Sequence, residues 1–227
     1  KLIDVVEMIA GIEGVERIRL GSLEPNIVTE DFAKRLAKVD KICPHFHLSL
    51  QSGCDETLKR MNRHYTTALY LEKCGILRQY FDRPALTTDV IVGFPGETEE
   101  EFAQTERFLE TVHFSDMHIF KYSKRRGTKA ADMPNQIDPQ IQSVRSEKLI
   151  ALGERMKDDF LEACKNQEQI VLIEEETEID GTKYMTGHSK NYIRCAFEMD
   201  GLVPNMVIKG TINSKLNEEF VFCKRID

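Results

Sequence analysis

The stretch TDVIVGFPGETEEEF, residues 88–102, decides the fold class of this chain. Its first half is apolar and rich in β-branched residues, which is typical of a buried strand. Gly93 and Gly96 then permit a tight turn. Thr98, with Glu101 three residues later, forms the capping-box pattern that starts a helix. A strand that runs directly into a helix is the repeating unit of α/β folds, so this stretch predicts that class.

The same unit recurs on both sides of this stretch. Apolar alternation predicts further strands at 15–25, 45–50 and 116–123, beside the one at 85–94. Helical spacing of apolar residues predicts helices at 1–12, 29–39, 55–61, 69–81, 98–112 and 138–165. Such alternation indicates a parallel sheet with crossover helices, either an open sheet or part of a (β/α) barrel.

The pattern changes near residue 166. Five short strand-like segments, QIVLIEEE, KYMTGHS, YIRCAFE, MVIKGTINSKL and EFVFCKRI, are joined by turns rich in Gly, Asn and Asp. They predict a small antiparallel β-barrel of the OB-like or SH3-like size class. We therefore predict two domains, residues 1–165 and 166–227.

Composition limits the classes of function. The 227 residues are 41% apolar and 30% charged, with a formal net charge of −7. No apolar run is long enough to span a bilayer, so no membrane partner is expected. An acidic chain must meet nucleic acid through local basic patches. The six cysteines form no C-x-x-C pair, which indicates reduced thiols and a cytoplasmic protein.

Polar or glycine-bearing sequence follows each of the four predicted strands. The segments are GSLEP (21–25), QSGCD (51–55), VGFPGET (92–98) and YSKRRGT (122–128). Because the carboxyl ends of parallel strands meet at one edge of a sheet, the four segments predict a binding site there.

Two residues at that edge raise specific questions. Asp89 lies inside an apolar strand, where a carboxylate is costly unless it has a partner. Cys54 lies beside Gly53, but a reactive thiolate needs an activating neighbour, and the sequence places none next to it. We therefore predict no catalytic residue and no metal ligand in this chain.

Four strings, in this order, resemble one family. RLGSLEP, HLSLQSGCDETLKRMNRHYT, TDVIVGFPGETEEEF and YSKRRGTKAADMP are similar to segments of the radical-SAM methylthiotransferases. The resemblance covers essentially the whole chain. It is strongest to the branch that adds a 2-methylthio group to threonylcarbamoyl-adenosine in tRNA. It implies a partial radical-SAM (β/α) barrel followed by a TRAM domain, which is an RNA-binding β-barrel.

The resemblance implies cofactors and partners for the full enzyme. These are S-adenosylmethionine, two [4Fe–4S] clusters and the anticodon stem-loop of tRNA. The chain departs from the family pattern because it contains no C-x-x-x-C-x-x-C. We therefore expect a C-terminal fragment that binds no cofactor by itself, is catalytically silent, works with the missing N-terminal half of the same chain and can form a homodimer through open sheet edges.

Positions at the strand ends become candidates for specific roles. The predicted S-adenosylmethionine-binding residues are Glu24, Gln51, Ser52, Asp89, Val92, Gly93 and Phe94. Predicted contacts to the tRNA backbone are Arg63, Tyr65, Lys124, Arg125 and Arg126. In the small barrel, Lys183, Lys190, Tyr192 and Arg194, with His188 beside them, combine positive charge with an aromatic ring that can stack on a base.

Other functions stay open at this stage. The relatives that modify isopentenyl-adenosine in tRNA, or a ribosomal protein, share the radical-SAM resemblance. The chain can also be a non-catalytic RNA-binding module whose α/β part is only a scaffold. An ordinary (β/α)₈-barrel enzyme is disfavoured because too few strands are predicted to close such a barrel.

Overall fold

The computed structural model describes residues 1–226 and begins with a four-stranded parallel sheet. The strands lie side by side in their order along the chain: β1 (Ser22–Leu23), β2 (His45–Leu48), β3 (Ala85–Val92) and β4 (Asp116–Lys121). The helices of this part are α1 (Leu2–Ala10), α2 (Glu30–Leu36), α3 (Asp55–Arg60), α4 (Thr67–Tyr80), α5 (Glu99–Val112) and α6 (Pro139–Cys164). This arrangement confirms the predicted α/β class.

The first predicted strand is much shorter than expected. Only Ser22–Leu23 pair with β2, and Ile18 makes an isolated bridge to Ile42. Ile18 and Leu20 are buried, so the apolar alternation in the sequence reflects burial. It does not produce a continuous ladder of backbone hydrogen bonds, which is why the predicted strand over 15–25 is wrong in extent.

Threonine side chains begin three of the helices. Thr29, Thr66 and Thr98 each accept a hydrogen bond from a backbone N–H in the first turn of α2, α4 and α5. At Thr98 the side chain of Glu101 returns a contact to the backbone N–H of the cap, which completes the predicted capping box. The strand-to-helix reading of residues 88–102 is therefore confirmed in detail.

The two faces of the sheet differ. Phe46, Leu48, Leu86 and Val90 are fully buried in the main core, which the helices cover. Because side chains alternate along a strand, their neighbours project from the opposite face. That face carries polar and partly exposed side chains, and it positions the candidate site.

A second, smaller core lies in a closed five-stranded barrel with the order β5-β6-β7-β9-β8. Its strands are β5 (Glu168–Ile179), β6 (Thr182–Ser189), β7 (Arg194–Phe197), β8 (Val207–Lys215) and β9 (Val221–Ile226). The five predicted segments match these strands. The pairing is antiparallel except between β7 and β9, which run parallel. The predicted small antiparallel barrel is therefore confirmed, and the parallel pairing of β7 with β9 is a feature that the sequence did not predict.

Polar contacts join the barrel to the parallel sheet. The Arg17 guanidinium donates to the backbone carbonyls of His188, at 2.9 Å, and Ile170, at 2.8 Å. Lys190 Nζ donates to the carbonyl of Asp40 at 2.8 Å. The predicted division at residues 165 and 166 stays a prediction; the chain passes from α6 to β5 in this region. Among residues 1–226, no helix has the length and apolar character that crossing a membrane requires.

Candidate functional site

The turn after β2 is held against β3 by its backbone. The Gln51 N–H donates to the carbonyl of Asp89, and the Gln51 carbonyl accepts from the N–H of Ile91, both at 2.9 Å. Gln51 has φ of 72°, a left-handed conformation that costs about 1–3 kcal/mol for a residue other than glycine. Such strain concentrates at functional positions, which supports a role for this turn.

Ser52 and Cys54 are buried beneath the same turn. Ser52 Oγ lies 3.2 Å from Thr105 Oγ1 of α5 and accepts from the backbone N–H of Cys54 at 3.3 Å. Both side chains are inaccessible to solvent. Ser52 therefore joins the turn to α5, and its predicted contact with a cofactor gains no support from this position.

Asp89 has the partner that its place in a strand requires. Its Oδ2 lies 3.3 Å from Nε2 of His47 on the neighbouring strand. His47 Nδ1 lies 3.0 Å from Thr87 Oγ1, and the ring of His118 stacks near that of His47 at 6.1 Å between centroids. Sequence reasoning missed His47 and His118. For His47 the signal was present in HFHLSL, where His45 and His47, two residues apart, share one face of a strand.

An ion pair lies under the glycine turn after β3. Glu97 Oε2 accepts from the Gly93 N–H and from Arg145 of α6, both at 2.7 Å. Burial raises the pKa of Glu97, whereas these two donors act to lower it. Sequence reasoning missed this pair because the two residues are far apart along the chain.

Helix α6 also occupies the space beside Gly93. Gln142 Nε2 donates to the Gly93 carbonyl at 3.2 Å, and a Cβ on Gly93 would clash with Gln142 Cγ. Val92 lies in the main core, and Phe94 is buried edge-on against Tyr122. The predicted cofactor contacts of Val92, Gly93 and Phe94 therefore gain no support from their side-chain positions.

Glu24, predicted to bind S-adenosylmethionine, lies beside Arg63, predicted to contact tRNA. The Arg63 guanidinium lies 3.8 Å from Glu24 Oε1, and both side chains are partly exposed. Tyr65, predicted to contact RNA, is instead buried, and its hydroxyl contacts the carbonyls of Ser49 and Leu50 at 2.9 Å. Burial raises the pKa of Tyr65 to about 12. Tyr65 therefore packs against the segment that follows β2.

The basic loop after β4, residues 124–126, is exposed to solvent. Lys124, Arg125 and Arg126 make no ion pair with any of residues 1–226, and a turn at Gly127, with φ of 83°, follows them. Three adjacent cations without acidic partners remain available for an anionic ligand.

The predicted RNA-binding cations of the small barrel have partners within the protein. Lys183 pairs with Glu176, and Arg194 pairs with Glu219, each at 2.6 Å. Lys190 bonds to a carbonyl in the sheet domain, as described above. Their predicted RNA contacts stay predictions, and they would require these pairs to open.

Tyr192 is part of the contact between the barrel and the sheet. Its ring stacks on His188 with centroids 4.4 Å apart, lies 4.8 Å from the ring of His45 and has the Arg19 guanidinium at 4.2 Å. The structure gives Tyr192 a structural role that sequence reasoning did not predict, and its stacking on a base stays a prediction.

Comparison with known proteins shows what this chain resembles. The family model "Radical SAM superfamily" matches residues 1–109, which include β1, β2, β3 and the turns described above. Residues 1–109 of this chain therefore resemble a radical SAM domain. A solved structure, coproporphyrinogen III oxidase from Escherichia coli, has a similar fold, with a TM-score of 0.55 and 16% identity over 68% of this chain and 36% of that one.

The curated relatives indicate which kind of radical SAM enzyme the chain resembles. The chain is 39% identical to threonylcarbamoyladenosine tRNA methylthiotransferase MtaB of Bacillus subtilis, over 85% of this chain and 43% of the relative. It is 41% identical to tRNA-2-methylthio-N(6)-dimethylallyladenosine synthase of Caldicellulosiruptor saccharolyticus, over 67% of this chain and 32% of the relative. A synthase of the same name from Clostridium botulinum is 34% identical over 95% of this chain and 49% of the relative. The predicted resemblance to radical-SAM methylthiotransferases is confirmed, and the chain spans less than half the length of these relatives.

The residues present fit the two implied cofactors unequally. Glu24, Asp89 and the strained backbone of Gln51 provide polar groups at the sheet edge that can hold the amine and hydroxyl groups of S-adenosylmethionine. The six cysteines are all buried, and none of their spacings matches a cluster-binding motif. These groups have the chemistry that S-adenosylmethionine binding requires, whereas the cysteines of this chain do not match a cluster-binding motif.

Proposed function

We propose that this chain is part of a tRNA methylthiotransferase that acts on threonylcarbamoyl-adenosine beside the anticodon. The observation that carries this proposal is the arrangement of three neighbouring strands. The exposed carboxylate of Glu24 follows β1 and the strained turn at Gln51 follows β2, whereas the His47-paired Asp89 lies within β3, where its backbone carbonyl accepts from the Gln51 N–H. The name of the Bacillus subtilis relative, which aligns with 85% of this chain, supports the choice of reaction and substrate.

The residues at this edge divide the work of binding. Asp89 and Glu24 accept hydrogen bonds from the amine or ribose hydroxyl groups of S-adenosylmethionine, and Gln51 presents backbone and amide groups between them. When bound in the full enzyme, S-adenosylmethionine together with a [4Fe–4S] cluster would supply the radical chemistry that activates a carbon–hydrogen bond. Cluster-binding cysteines would belong to a segment of the enzyme outside this chain.

The tRNA would approach the same edge. The basic loop, residues 124–126, follows β4 on the side of the sheet where Glu24, Gln51 and Asp89 lie, and Arg63 extends the positive charge beside Glu24. Phosphates of the anticodon stem would lie on these cations because cationic side chains supply most sequence-independent affinity for nucleic acid. The small barrel would act as the TRAM domain. A tRNA substrate also implies a cytoplasmic enzyme.

A second substrate has support of its own. Two of the relatives described above are synthases of the dimethylallyl-adenosine type, at 41% and 34% identity. The same edge of the sheet would accept threonylcarbamoyl-adenosine or dimethylallyl-adenosine. Both reactions change the purine ring, and the two substrates differ only in the group attached to its amine. The predictions of a ribosomal-protein substrate, a purely RNA-binding module and a homodimer have no specific support here.

The test uses the holoenzyme that contains this chain, with reconstituted clusters. It measures S-adenosylmethionine affinity and methylthiolation of two tRNAs, one with threonylcarbamoyl-adenosine and one with dimethylallyl-adenosine. We expect product from the first tRNA, and weaker S-adenosylmethionine binding in Asp89→Ala and Gln51→Gly. Glycine at position 51 keeps the left-handed backbone, since it adopts that conformation without strain.

A matched control is Asp116→Ala. Asp116 is a carboxylate at the opposite end of the neighbouring strand, 3.5 Å from Lys157 Nζ. Unchanged affinity in both Asp89→Ala and Gln51→Gly would reject the binding assignment. Product from the dimethylallyl tRNA alone would instead favour the second substrate.

A further inference from the structure

Three side chains with metal-binding atoms meet on the open face of the sheet. His47 of β2, Asp89 of β3 and His118 of β4 each offer one atom, and these atoms all lie within 4.8 Å of one another. The strand register explains the meeting. Asp89 is directly opposite His118, and His47 is opposite Thr87, which lies two residues before Asp89 on the same face.

His47 is already oriented as a ligand. Its Nδ1 lies 3.0 Å from Thr87 Oγ1, which leaves Nε2 directed at Asp89 Oδ2, 3.3 Å away. In metal sites the second ring nitrogen of a histidine ligand characteristically has such an outer partner, which fixes the ring and its tautomer. Thr87 thus orients the His47 ring toward the Asp89 carboxylate. It contacts neither His47 Nε2 nor Asp89 Oδ2, the two atoms that would bind a metal ion.

The donor set matches a known kind of site. Two imidazoles and one carboxylate suit divalent transition metals, and three protein ligands leave positions open for water or substrate. Around an ion with bonds of about 2.1 Å, tetrahedral ligands lie about 3.4 Å apart. The ligand atoms must therefore approach one another by at most about 1.4 Å, a movement that side-chain rotation provides. The exposed ring of His118 can make this movement.

The cluster is also open to a ligand. Thr87 and His118 line a cavity of about 490 Å³ between the parallel sheet and the small barrel. His45, which lines the same cavity, has a buried Nδ1 without a hydrogen-bond partner among residues 1–226. An ion can reach His118 through this cavity.

We propose that His47, Asp89 and His118 form a binding site for a divalent transition-metal ion of the Zn²⁺ or Co²⁺ type. The site is separate from any iron–sulfur cluster, because it uses imidazole and carboxylate ligands and no thiolate. It shares Asp89 with the proposed S-adenosylmethionine site, but its test requires neither S-adenosylmethionine nor tRNA, so the two proposals can fail separately.

The test is a titration of the chelator-treated 227-residue chain with Co²⁺, followed by visible absorption and by calorimetry. We expect one ion per chain and d–d bands typical of nitrogen and oxygen ligands. His118→Ala should weaken Co²⁺ binding by about tenfold or more. Mutating an outer-shell partner of a ligand already lowers metal affinity by about that factor, and removing a ligand itself should lower it at least as much. His118 is exposed, so this variant should remain folded, and circular dichroism checks that it does. Asp89→Asn should give the same loss.

The matched control is His113→Ala. His113 is another exposed histidine beside a carboxylate, with Nε2 3.6 Å from Asp159 Oδ2, and it belongs to no three-ligand group among residues 1–226. It should bind Co²⁺ like the unaltered chain. Equal affinity in all three variants, or several weak sites unaffected by His118→Ala, would overturn the proposal. Thiolate charge-transfer bands would do so too, although the six buried cysteines make them unexpected.

Discussion

Arg145 donates to Glu97 at 2.7 Å, and the two side chains are only 5% and 2% exposed. The pair connects α6 to the turn that follows β3, because Glu97 also accepts from the Gly93 N–H. Helix α6 ends at Cys164, just before the first strand of the small barrel. The contact therefore joins the turn after β3 to the helix that leads into that barrel.

Removing one partner of this pair should be costly. Arg145→Met leaves the Glu97 carboxylate buried without its cation, and such losses typically cost about 3–5 kcal/mol. Urea unfolding measures the change. The control is Arg107→Met, since Arg107 and Glu100 form an exposed pair and such pairs contribute about 1 kcal/mol or less. Similar losses in the two variants would contradict the structural role given to Arg145.

His45 should make stability depend on pH. Burial, and then the nearby positive charge of Arg19, lower its pKa from 6.5 to about 4. A lowered pKa means that the folded state favours the neutral ring, so the stabilisation is complete above pH 6.5 and is lost as pH falls toward 4. From this group alone, the free energy of unfolding should fall by about 2 kcal/mol between neutral pH and about pH 5.

Urea unfolding across that pH range tests this dependence. His45→Gln removes the titrating group and should flatten the curve, whereas His64→Gln, at an exposed position, should leave it unchanged. A curve of equal slope in His45→Gln would show that other groups cause the loss.

Two glycines should respond to alanine in opposite directions. A Cβ on Gly53 would lie 2.8 Å from Phe108 Cβ and 2.9 Å from the backbone at Thr105, so Gly53→Ala must displace α5 and should cost about 1–3 kcal/mol. Gly75, exposed in the middle of α4, has no atom within 4 Å of the added Cβ. Gly75→Ala should stabilise the protein by about 0.5–1 kcal/mol. Thermal unfolding of both variants measures the difference, and destabilisation by Gly75→Ala would contradict the open space described there.

The success and failure of sequence reasoning have a common physical cause. Thr98 and Glu101 are three residues apart, and their capping box follows from local geometry, so the sequence predicts it. Glu97 and Arg145 are 48 residues apart, and only the folded chain brings them together. Tyr65 shows the same limit of local sequence information, here in a prediction that the folded structure does not support. A tyrosine among basic residues resembles an RNA contact in sequence, but tertiary packing commits its hydroxyl to the carbonyls of Ser49 and Leu50.

The two groups of predicted RNA-binding cations should behave differently toward tRNA. Each phosphate contact that is lost reduces the slope of log affinity against log salt by about 0.7–0.9. Alanine at Lys124, Arg125 and Arg126 should therefore reduce the slope by about 2–3, because these side chains have no acidic partners within residues 1–226.

Lys183→Ala with Arg194→Ala is the matched control, since Glu176 and Glu219 already neutralise these two cations. Removing them should change the slope by less than about 1, because each would have to leave its carboxylate before it could contact a phosphate. Filter binding of tRNA to the 227-residue chain over a salt series measures both slopes. A larger change in the control than in the loop variant would move the RNA contact from the basic loop to the small barrel.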